Sequence, residues 1–354
     1  MSTPDHDPVL TPQRVSPQTS DFSAASQPLW QRIPHGNTMW IFLVLVGICV
    51  AFSALNPSAF ATAFEARTVA TNASVLLVVA VGSTFVIITG GIDLSVGSVL
   101  VFSGVVAAEV MHAGSEQSVH AGWGTIALGL VVALLSGLVW GLLNGFLVAV
   151  ARVPALIVTL GTLGAAYGLS QIITQGQDLR GVPDLLATDI GLGRMAGGVP
   201  WMVVIAAAVT LLGALVLGVT RFGRYTFAAG SNAEAARRAG INVRSHLVKV
   251  YALQGLLAGL AGFLALAYFD TTTISGHTSD NLAAITAVVI GGTSLFGGRG
   301  TVIGTAIGVF IPAVLASGFV IVGVQSYWQN VALGVVLIAA VYIDQLRRQS
   351  RNRQ

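Results

Sequence analysis

The chain has 354 residues, of which 54% are hydrophobic and only 9% are charged, and its mean hydropathy is +0.81. Soluble domains carry about a quarter of charged residues, so water is not the main solvent of this chain. In a soluble protein the net charge of +3 would suggest nucleic acid as a partner. In a membrane protein the placement of positive residues reports topology instead. The composition therefore predicts an all-α polytopic membrane protein, with membrane lipid and no nucleic acid as partners.

The two ends of the chain differ in character from its middle. Residues 1–38 are rich in Pro, Ser, Gln and Thr and lack an apolar core, so they are neither a cleavable signal peptide nor a span. We predict a disordered cytoplasmic tail there, a transmembrane domain over residues 39–343, and a basic cytoplasmic tail over residues 344–354. The single cysteine, Cys49, excludes an intrachain disulfide.

The apolar middle contains about ten candidate transmembrane helices. A helix needs about 20 mostly apolar residues to cross the hydrocarbon core of a bilayer. The third and eighth candidates are interrupted by glycine or polar clusters, which suits half-helices or re-entrant segments. The ten predicted spans are 39–55, 68–89, 95–111, 125–150, 155–175, 200–220, 247–269, 282–298, 301–322 and 327–343.

Positive residues are unevenly distributed about these segments. If the N-terminus is cytoplasmic, the alternation leaves only Arg67, Arg180 and Arg194 outside and every other Lys and Arg inside. This is the bias that the positive-inside rule describes. An odd number of spans would place the basic C-terminus on the wrong face. The sequence therefore predicts an even number of spans with both termini in the cytoplasm.

Two glycine-rich stretches share the frame G-G-x-x-L-x-x-G, and we name them hairpin 1 (residues 90–97) and hairpin 2 (residues 291–298). Each follows a β-branched run and precedes another apolar stretch. We interpret them as parts of two internal repeats, a common construction in transporters; a chance match in a glycine-rich chain is the alternative. The candidate residues of the translocation pathway or of structural hairpins are Gly90, Gly91, Asp93, Ser95, Gly97, Gly291, Gly292, Thr293, Ser294, Gly297 and Gly298.

The longest polar insertion between predicted spans is residues 221–249, an arginine-rich segment on the inner side. A short helix is predicted within it, capped by Asn232 and ended by Gly240 in the left-handed conformation. Such a helix is a compact docking element. A solvated basic loop that only fixes orientation is the alternative. The residues of the predicted docking element are Asn232, Glu234, Ala235, Ala236, Arg237, Arg238 and Gly240.

The same residues carry a family resemblance. Glu234-Ala235-Ala236, followed after three residues by Gly240, resembles the EAA-x3-G coupling motif of ABC importer permeases. The longer string GRYTFAAGSNAEAARRAGINV is similar to the version found in permeases of the ribose, xylose and arabinose type. TGGIDLSVGSV at 89–99, AAITAVVIGGTSLFGGRGTVIGT at 283–305 and, more weakly, VPALIVTLGTL at 153–163 resemble the same family. The four matches occur along the chain in the same order as in the family. One of them alone would be weak evidence for the family, whereas the four together are strong evidence.

The resemblance implies a type II-like ABC importer permease in a bacterial inner membrane, which translocates a monosaccharide. It also implies three partners: an ABC ATPase subunit, a second permease copy or a paralogue, and an extracytoplasmic sugar-binding protein. This chain has no G-x-x-x-x-G-K-[ST] phosphate loop, so ATP and Mg²⁺ belong to the ATPase subunit. The part of this chain that would dock on that subunit is residues 221–246, which we name the coupling segment.

Asp93 is an ionisable residue between two strongly apolar runs, so by default it is functional or paired. At a cytoplasmic mouth it can accept from the amides of Ser95 or Val96 and cap the following helix; direct contact with a sugar is the alternative. The other polar residues predicted inside spans are neutral, which suits a polyhydroxyl solute. They are Asn144, Thr159, Thr162, Tyr167, Gln171, Gln254 and Thr286.

Catalysis by this chain is not expected, because no nucleophile and base pair stands out and no His and Cys cluster has metal-ligand spacing. The main rival function is a secondary transporter driven by an ion gradient. That class usually has an intramembrane ionisable residue as its coupling site, and only Asp93 and Glu109 are candidates. ABC permeases for nucleosides, branched-chain amino acids, a signalling furanose or another small polar solute are further alternatives.

Overall fold

The structure, a computed structural model, describes residues 35–113, 118–195, 197–277, 279–325 and 327–351. The described residues from Asn37 onward form one compact unit. Residues 1–34 of the predicted N-terminal tail lie outside the described part of the chain. Residues 35–38, also predicted to be disordered, are helical and open the first helix. The helix extends beyond the apolar run because each added residue gains one backbone hydrogen bond.

The described residues are almost entirely helical, and their β pairing is limited to two isolated bridges, between Arg180 and Thr271 and between Arg194 and Pro200. A π-helical turn, Leu186–Gly191, precedes the seventh helix. The α-helices in chain order are α1 (His35–Leu55), α2 (Pro57–Phe60), α3 (Ala63–Ile88), α4 (Val96–Ala113), α5 (Trp123–Ala149), α6 (Ala155–Thr174), α7 (Trp201–Val219), α8 (Arg221–Ser231), α9 (Ala233–Arg238), α10 (Val243–Phe269), α11 (Asp280–Ile290), α12 (Val302–Ile321) and α13 (Tyr327–Arg351).

Seven of these helices, α3, α4, α5, α6, α7, α10 and α12, are long and apolar enough to cross a membrane. Each coincides with a predicted span, and the chain is a polytopic helical membrane protein. The other three predicted spans fall on helices with shorter apolar runs, which are Met39–Leu55 in α1, α11, and Tyr327–Ala339 in α13. The count of ten therefore stays a prediction. The predicted C-terminal tail is helical as far as Arg351.

The eighth predicted span, 282–298, is helical only in its first half, which agrees with the half-helix that its glycine cluster suggested. Its helix, α11, ends at Ile290, because Gly292 adopts a left-handed backbone with φ +89°. The amide of Gly292 donates to the carbonyl of Val289 at 2.9 Å and the amide of Thr293 to that of Val288 at 3.2 Å. This pair of bonds is a Schellman motif. The third predicted span is the uninterrupted helix α4, despite its glycines.

Helix α3 ends by the same Schellman motif. Gly90 has φ +79°, its amide donates to Ile87, and the amide of Gly91 donates to Val86. By backbone conformation, Gly90 therefore corresponds to Gly292. The shared sequence frame pairs Gly90 with Gly291 instead, so the two alignments differ by one residue. The following helices also differ, because α4 begins inside hairpin 1 and α12 begins beyond hairpin 2. The two hairpins share a helix ending, and a repeat of whole halves stays a prediction.

Helices α5 and α10 share the most extensive helix contact in the described structure. Glycines allow it: a Cβ atom on Gly137 would lie 2.8 Å from the amide nitrogen of Gly259 and would overlap the carbonyl oxygen of Gly255. Gly141 is equally crowded, because a Cβ atom on Gly141 would lie 3.0 Å from the Cα of Gly255. Small residues let helix backbones touch inside membranes, where van der Waals packing holds helices together.

Candidate functional site: the coupling segment and the two glycine hairpins

The coupling segment folds into α8, α9 and the start of α10. The side chain of Asn232 accepts from the amides of Glu234 at 3.1 Å and Ala235 at 2.9 Å, which satisfies two of the free donors of α9. At the other end Gly240 has φ +83°, and the amide of Ile241 donates to the carbonyl of Ala236 at 3.0 Å. The predicted cap and the predicted left-handed ending are confirmed. The docking role stays a prediction.

The short helix α9 has an inner and an outer face. Ala236 is 5% exposed and packs in a small apolar cluster with Ala229 of α8 and Val243 of α10. Ala235, the next residue around the helix, is exposed. The inner face therefore fixes α9 to the rest of the coupling segment, while the outer face is available to another protein.

The charged residues of α9 lie on its exposed side and pair with one another. A carboxylate oxygen of Glu234 lies 2.6 Å from a guanidinium nitrogen of Arg237, and the other oxygen lies 3.3 Å from Nε of Arg238. The hydrogen bond and the charge of Arg237, followed by the hydrogen bond of Arg238, hold the pKa of Glu234 below its ordinary value. Glu234 is therefore ionised at neutral pH and helps to order both arginines on the exposed surface.

Asp93 accepts from the amide of Ser95, one of the two predicted donors, but Ser95 precedes α4, which begins at Val96. Oδ1 of Asp93 accepts from the amide of Ser95 at 2.9 Å and from the hydroxyl of Ser95 at 2.6 Å. The Ser95 hydroxyl in turn accepts from Nδ2 of Asn144 on α5 at 2.9 Å, and Asn281 of α11 donates to the carbonyl of Leu94 at 3.1 Å. Hairpin 1 is thus tied by polar side chains to two neighbouring helices.

Several of the polar residues predicted inside spans make bonds within the protein. Besides Asn144, Gln254 donates to the hydroxyl of Ser83 at 3.2 Å, and Thr159 bonds the carbonyl of Ala155 in its own helix. Gln171, in contrast, lies on the exposed surface of α6. Among the described residues, Oδ1 of Asn144 and Oε1 of Gln254 are buried without a hydrogen-bond partner. These two atoms could accept from a hydroxyl or a water if the surrounding helices separated.

The coupling segment and both hairpins meet at the end of α3. The amide of Gly298 in hairpin 2 donates to the carbonyl oxygen of Ile88 at 2.8 Å. Gly230, near the end of α8, contacts that same oxygen so closely that a Cβ atom there would overlap it. A Cβ on Gly297 would lie 3.0 Å from the amide nitrogen of Gly90. The structure therefore brings together the two groups of residues that the sequence could only name separately.

Some predicted residues lie away from this meeting point. Gly97 is buried in α4 under the carbonyl of His277, and Gly291 packs against α12 at Gly304. Sequence reasoning missed Gly230, although a glycine inside an otherwise helical amphipathic pattern signals close packing. Among the described residues no group of three His, Cys, Asp or Glu side chains is placed to hold a metal ion.

The seven membrane-crossing helices place the chain in the class of multi-pass membrane proteins. The family described as the branched-chain amino acid transport system / permease component matches residues 66–341, and the chain belongs to this family.

Known relatives cover most of the chain. It is 39% identical over 306 residues to the ribose import permease protein RbsC of Escherichia coli (strain K12), covering 85% of this chain and 91% of that protein. It is 32% identical over 345 residues to the fructose import permease protein FrcC of Rhizobium meliloti, covering 94% and 93%. The comparison with solved structures found no match. The resemblance drawn from the four motifs is confirmed at the level of the family.

A third relative is the autoinducer 2 import system permease protein LsrC of Yersinia enterocolitica, 34% identical over 277 residues, covering 77% of this chain and 73% of that protein. The three relatives are thus import permeases named for different small polar compounds.

Proposed function

We propose that this chain is the membrane-spanning permease subunit of an ATP-driven ABC importer and translocates a monosaccharide, a ribose-like pentose or a hexose. The observation that carries this proposal is the 39% identity to a ribose import permease over 91% of that protein's length. The family description names branched-chain amino acids, but the similar proteins named above import ribose, fructose and autoinducer 2. A sugar is therefore favoured over an amino acid or a nucleoside as the transported solute.

In this scheme the chain is a type II-like permease of ten transmembrane helices with two internal repeats, in the bacterial inner membrane, with both termini cytoplasmic. An ABC ATPase subunit binds ATP and Mg²⁺ and grips the outer face of α9. A second permease copy or a paralogue completes the pathway. An extracytoplasmic sugar-binding protein delivers the solute to the opposite side.

An ion-coupled secondary transporter is disfavoured by the family. One of its two candidate coupling residues, Asp93, is hydrogen-bonded to Ser95 just before α4, and the other, Glu109, is partly buried in that helix.

The cargo class is tested by uptake into proteoliposomes that contain the permease, its ATPase and its binding protein. Labelled D-ribose and D-fructose are compared with labelled leucine and adenosine. We expect ATP-dependent uptake of a monosaccharide and none of leucine or adenosine. Uptake of leucine or adenosine without uptake of either sugar would overturn the sugar assignment and leave the ABC permease class standing.

Replacing the cap of α9 should weaken ATPase binding. Asn232→Ala removes the acceptor of two amides, a loss of about 1 kcal/mol, and we expect about fivefold weaker association with the ATPase subunit. The measurement is a titration of purified ATPase against permease in lipid nanodiscs. Asn232→Asp keeps an acceptor at the same position and should bind nearly as wild type; equal affinity of all three proteins would contradict a docking role for α9.

Replacing Asp93 by asparagine should separate the hydrogen bond to Ser95 from transport. Asp93→Asn retains an oxygen that can accept from Ser95, so we expect normal assembly and a detergent-solubilised protein with a Tm close to that of wild type. The loss of the ionisable group is expected to lower uptake several-fold, because the default role of an intramembrane ionisable group is functional. Asp93→Leu, which also removes the acceptor for Ser95, should lower the Tm as well. Unchanged uptake by Asp93→Asn would leave only the structural role.

A further inference from the structure

Three segments that are distant in the sequence touch through backbone atoms around one carbonyl oxygen, that of Ile88. The amide of Gly298 donates to it at 2.8 Å. Gly230 packs on the same oxygen, and a Cβ atom at Gly230 would overlap it and would lie 2.8 Å from the nitrogen of Gly298. No side chain separates α3, α8 and hairpin 2 at this point. We name this three-way contact the glycine junction.

Two further contacts extend the glycine junction. A Cβ on Gly297 would lie 2.8 Å from the carbonyl oxygen of Gly230 and 3.0 Å from the nitrogen of Gly90, and one on Gly298 would lie 2.6 Å from the hydroxyl of Ser231. Gly297 and Gly298 both have positive φ, +81° and +75°, so the hairpin 2 backbone reaches the junction in a conformation that other residues rarely adopt.

The junction connects the docking helix with both hairpins over very few residues. Ser231 is the last residue of α8, and the next residue, Asn232, caps α9. Ile88 is the last residue of α3 and leads directly into hairpin 1. A displacement of α9 therefore reaches both hairpins through backbone contacts, without a rotatable side chain to absorb it. Close-packed interiors transmit such strain.

A purely structural reading is that these glycines only allow three segments to pack. Glycine pairs do that between α5 and α10, where they join two membrane-crossing helices along their length. The junction differs because it joins α8, which is not one of the seven membrane-crossing helices, to the end of α3 and to hairpin 2.

We propose that the glycine junction is the positioning element through which movement of the ATPase-bound α9 is passed to hairpins 1 and 2 together. Gly230 is its central residue. This inference rests on the proposed function, since it requires an ATPase on α9. It assigns to Gly230 and Gly298 a role in coupling that is separate from docking, because neither residue lies on the exposed face of α9.

The test uses Gly230→Ala with one cysteine reporter directly beside each hairpin. In a Cys49→Ser background, which removes the single native cysteine, Thr89→Cys reports on hairpin 1 and Arg299→Cys on the segment after hairpin 2. Each permease is assembled with its ATPase in nanodiscs and labelled with a maleimide, with and without a non-hydrolysable ATP analogue. The control is Gly218→Ala in α7, where a Cβ atom meets nothing within 4 Å.

With wild-type Gly230 and with Gly218→Ala, we expect the nucleotide to change the labelling rate of both reporters by about tenfold, within the usual range of coupling between two sites. With Gly230→Ala we expect the ATPase to remain bound and to hydrolyse ATP, while the labelling rates no longer respond to nucleotide. A merely destabilised protein would instead lose the bound ATPase and its hydrolysis.

The remaining outcomes distinguish a failure of the proposed function from a failure of the inference about the glycine junction. If the ATPase fails to bind the wild-type chain, the proposed function fails. If the ATPase binds and both reporters still respond in Gly230→Ala, the glycine junction does not pass on the movement and the inference is overturned. It is also overturned if the reporters of the wild-type complex do not respond to nucleotide. If Gly230→Ala does not assemble, Gly298→Ala supplies the same test from the hairpin side.

Discussion

Replacing Ala235 by tryptophan is expected to abolish assembly with the ATPase subunit while the permease still inserts and folds. Ala235 lies on the exposed face of α9, so the larger side chain fits within the permease alone. It would stand between α9 and a docked partner. We expect about 100-fold weaker association, the effect of losing 2 to 3 kcal/mol at the centre of an interface, measured by titrating ATPase against permease in nanodiscs.

Two variants control this result. Ala151→Trp enlarges an exposed alanine in the connection between α5 and α6 and should leave the affinity for the ATPase unchanged. Ala236→Trp enlarges the buried neighbour that packs on Ala229 and Val243, so it should also lower the stability of the solubilised permease. Association of Ala235→Trp at wild-type affinity would remove α9 from the interface.

Replacing Gly137 by leucine is expected to prevent the membrane domain from packing. A side chain at Gly137 would overlap the backbone of α10 at Gly255, and a backbone cannot rotate away as a side chain can. We expect a loss of at least about 3 kcal/mol in stability, at the upper end of the cost of overpacking. The measurement is the yield of monodisperse protein in detergent and its Tm.

The matched control lies in the same helix. Gly124 is near the start of α5 and has nothing within 4 Å of a hypothetical Cβ atom, so Gly124→Leu should keep the wild-type yield and Tm. Equal behaviour of the two variants would show that α5 and α10 do not pack as the structure has them.

The membrane-crossing helices were readable from the sequence because apolar length is a direct physical requirement of the bilayer. The caps were readable for a similar reason: Asn232 and Gly240 each satisfy a local need of the helix ends, and both take the predicted geometry. The glycine cluster of the eighth span indicated an interrupted helix, but the same signal in the third span was misleading, because α4 is continuous.

The arrangement of the candidate site could be predicted only in parts. The sequence frame paired Gly90 with Gly291, whereas the helix endings pair Gly90 with Gly292. Gly230 was missed because its importance comes from contacts with Ile88 and Gly298, which are distant in the sequence. Local preferences predict how a helix ends. They do not predict which helix ends meet.

The central claim is that this chain is moved by a separate ATPase that grips the coupling segment. The most direct test is sugar uptake by proteoliposomes that contain the permease and the binding protein, with and without the ATPase subunit and ATP, using labelled D-ribose and D-fructose. We predict uptake only when both the ATPase and ATP are present, and no uptake under an imposed proton or sodium gradient alone. Gradient-driven uptake by the permease without the ATPase would contradict the account.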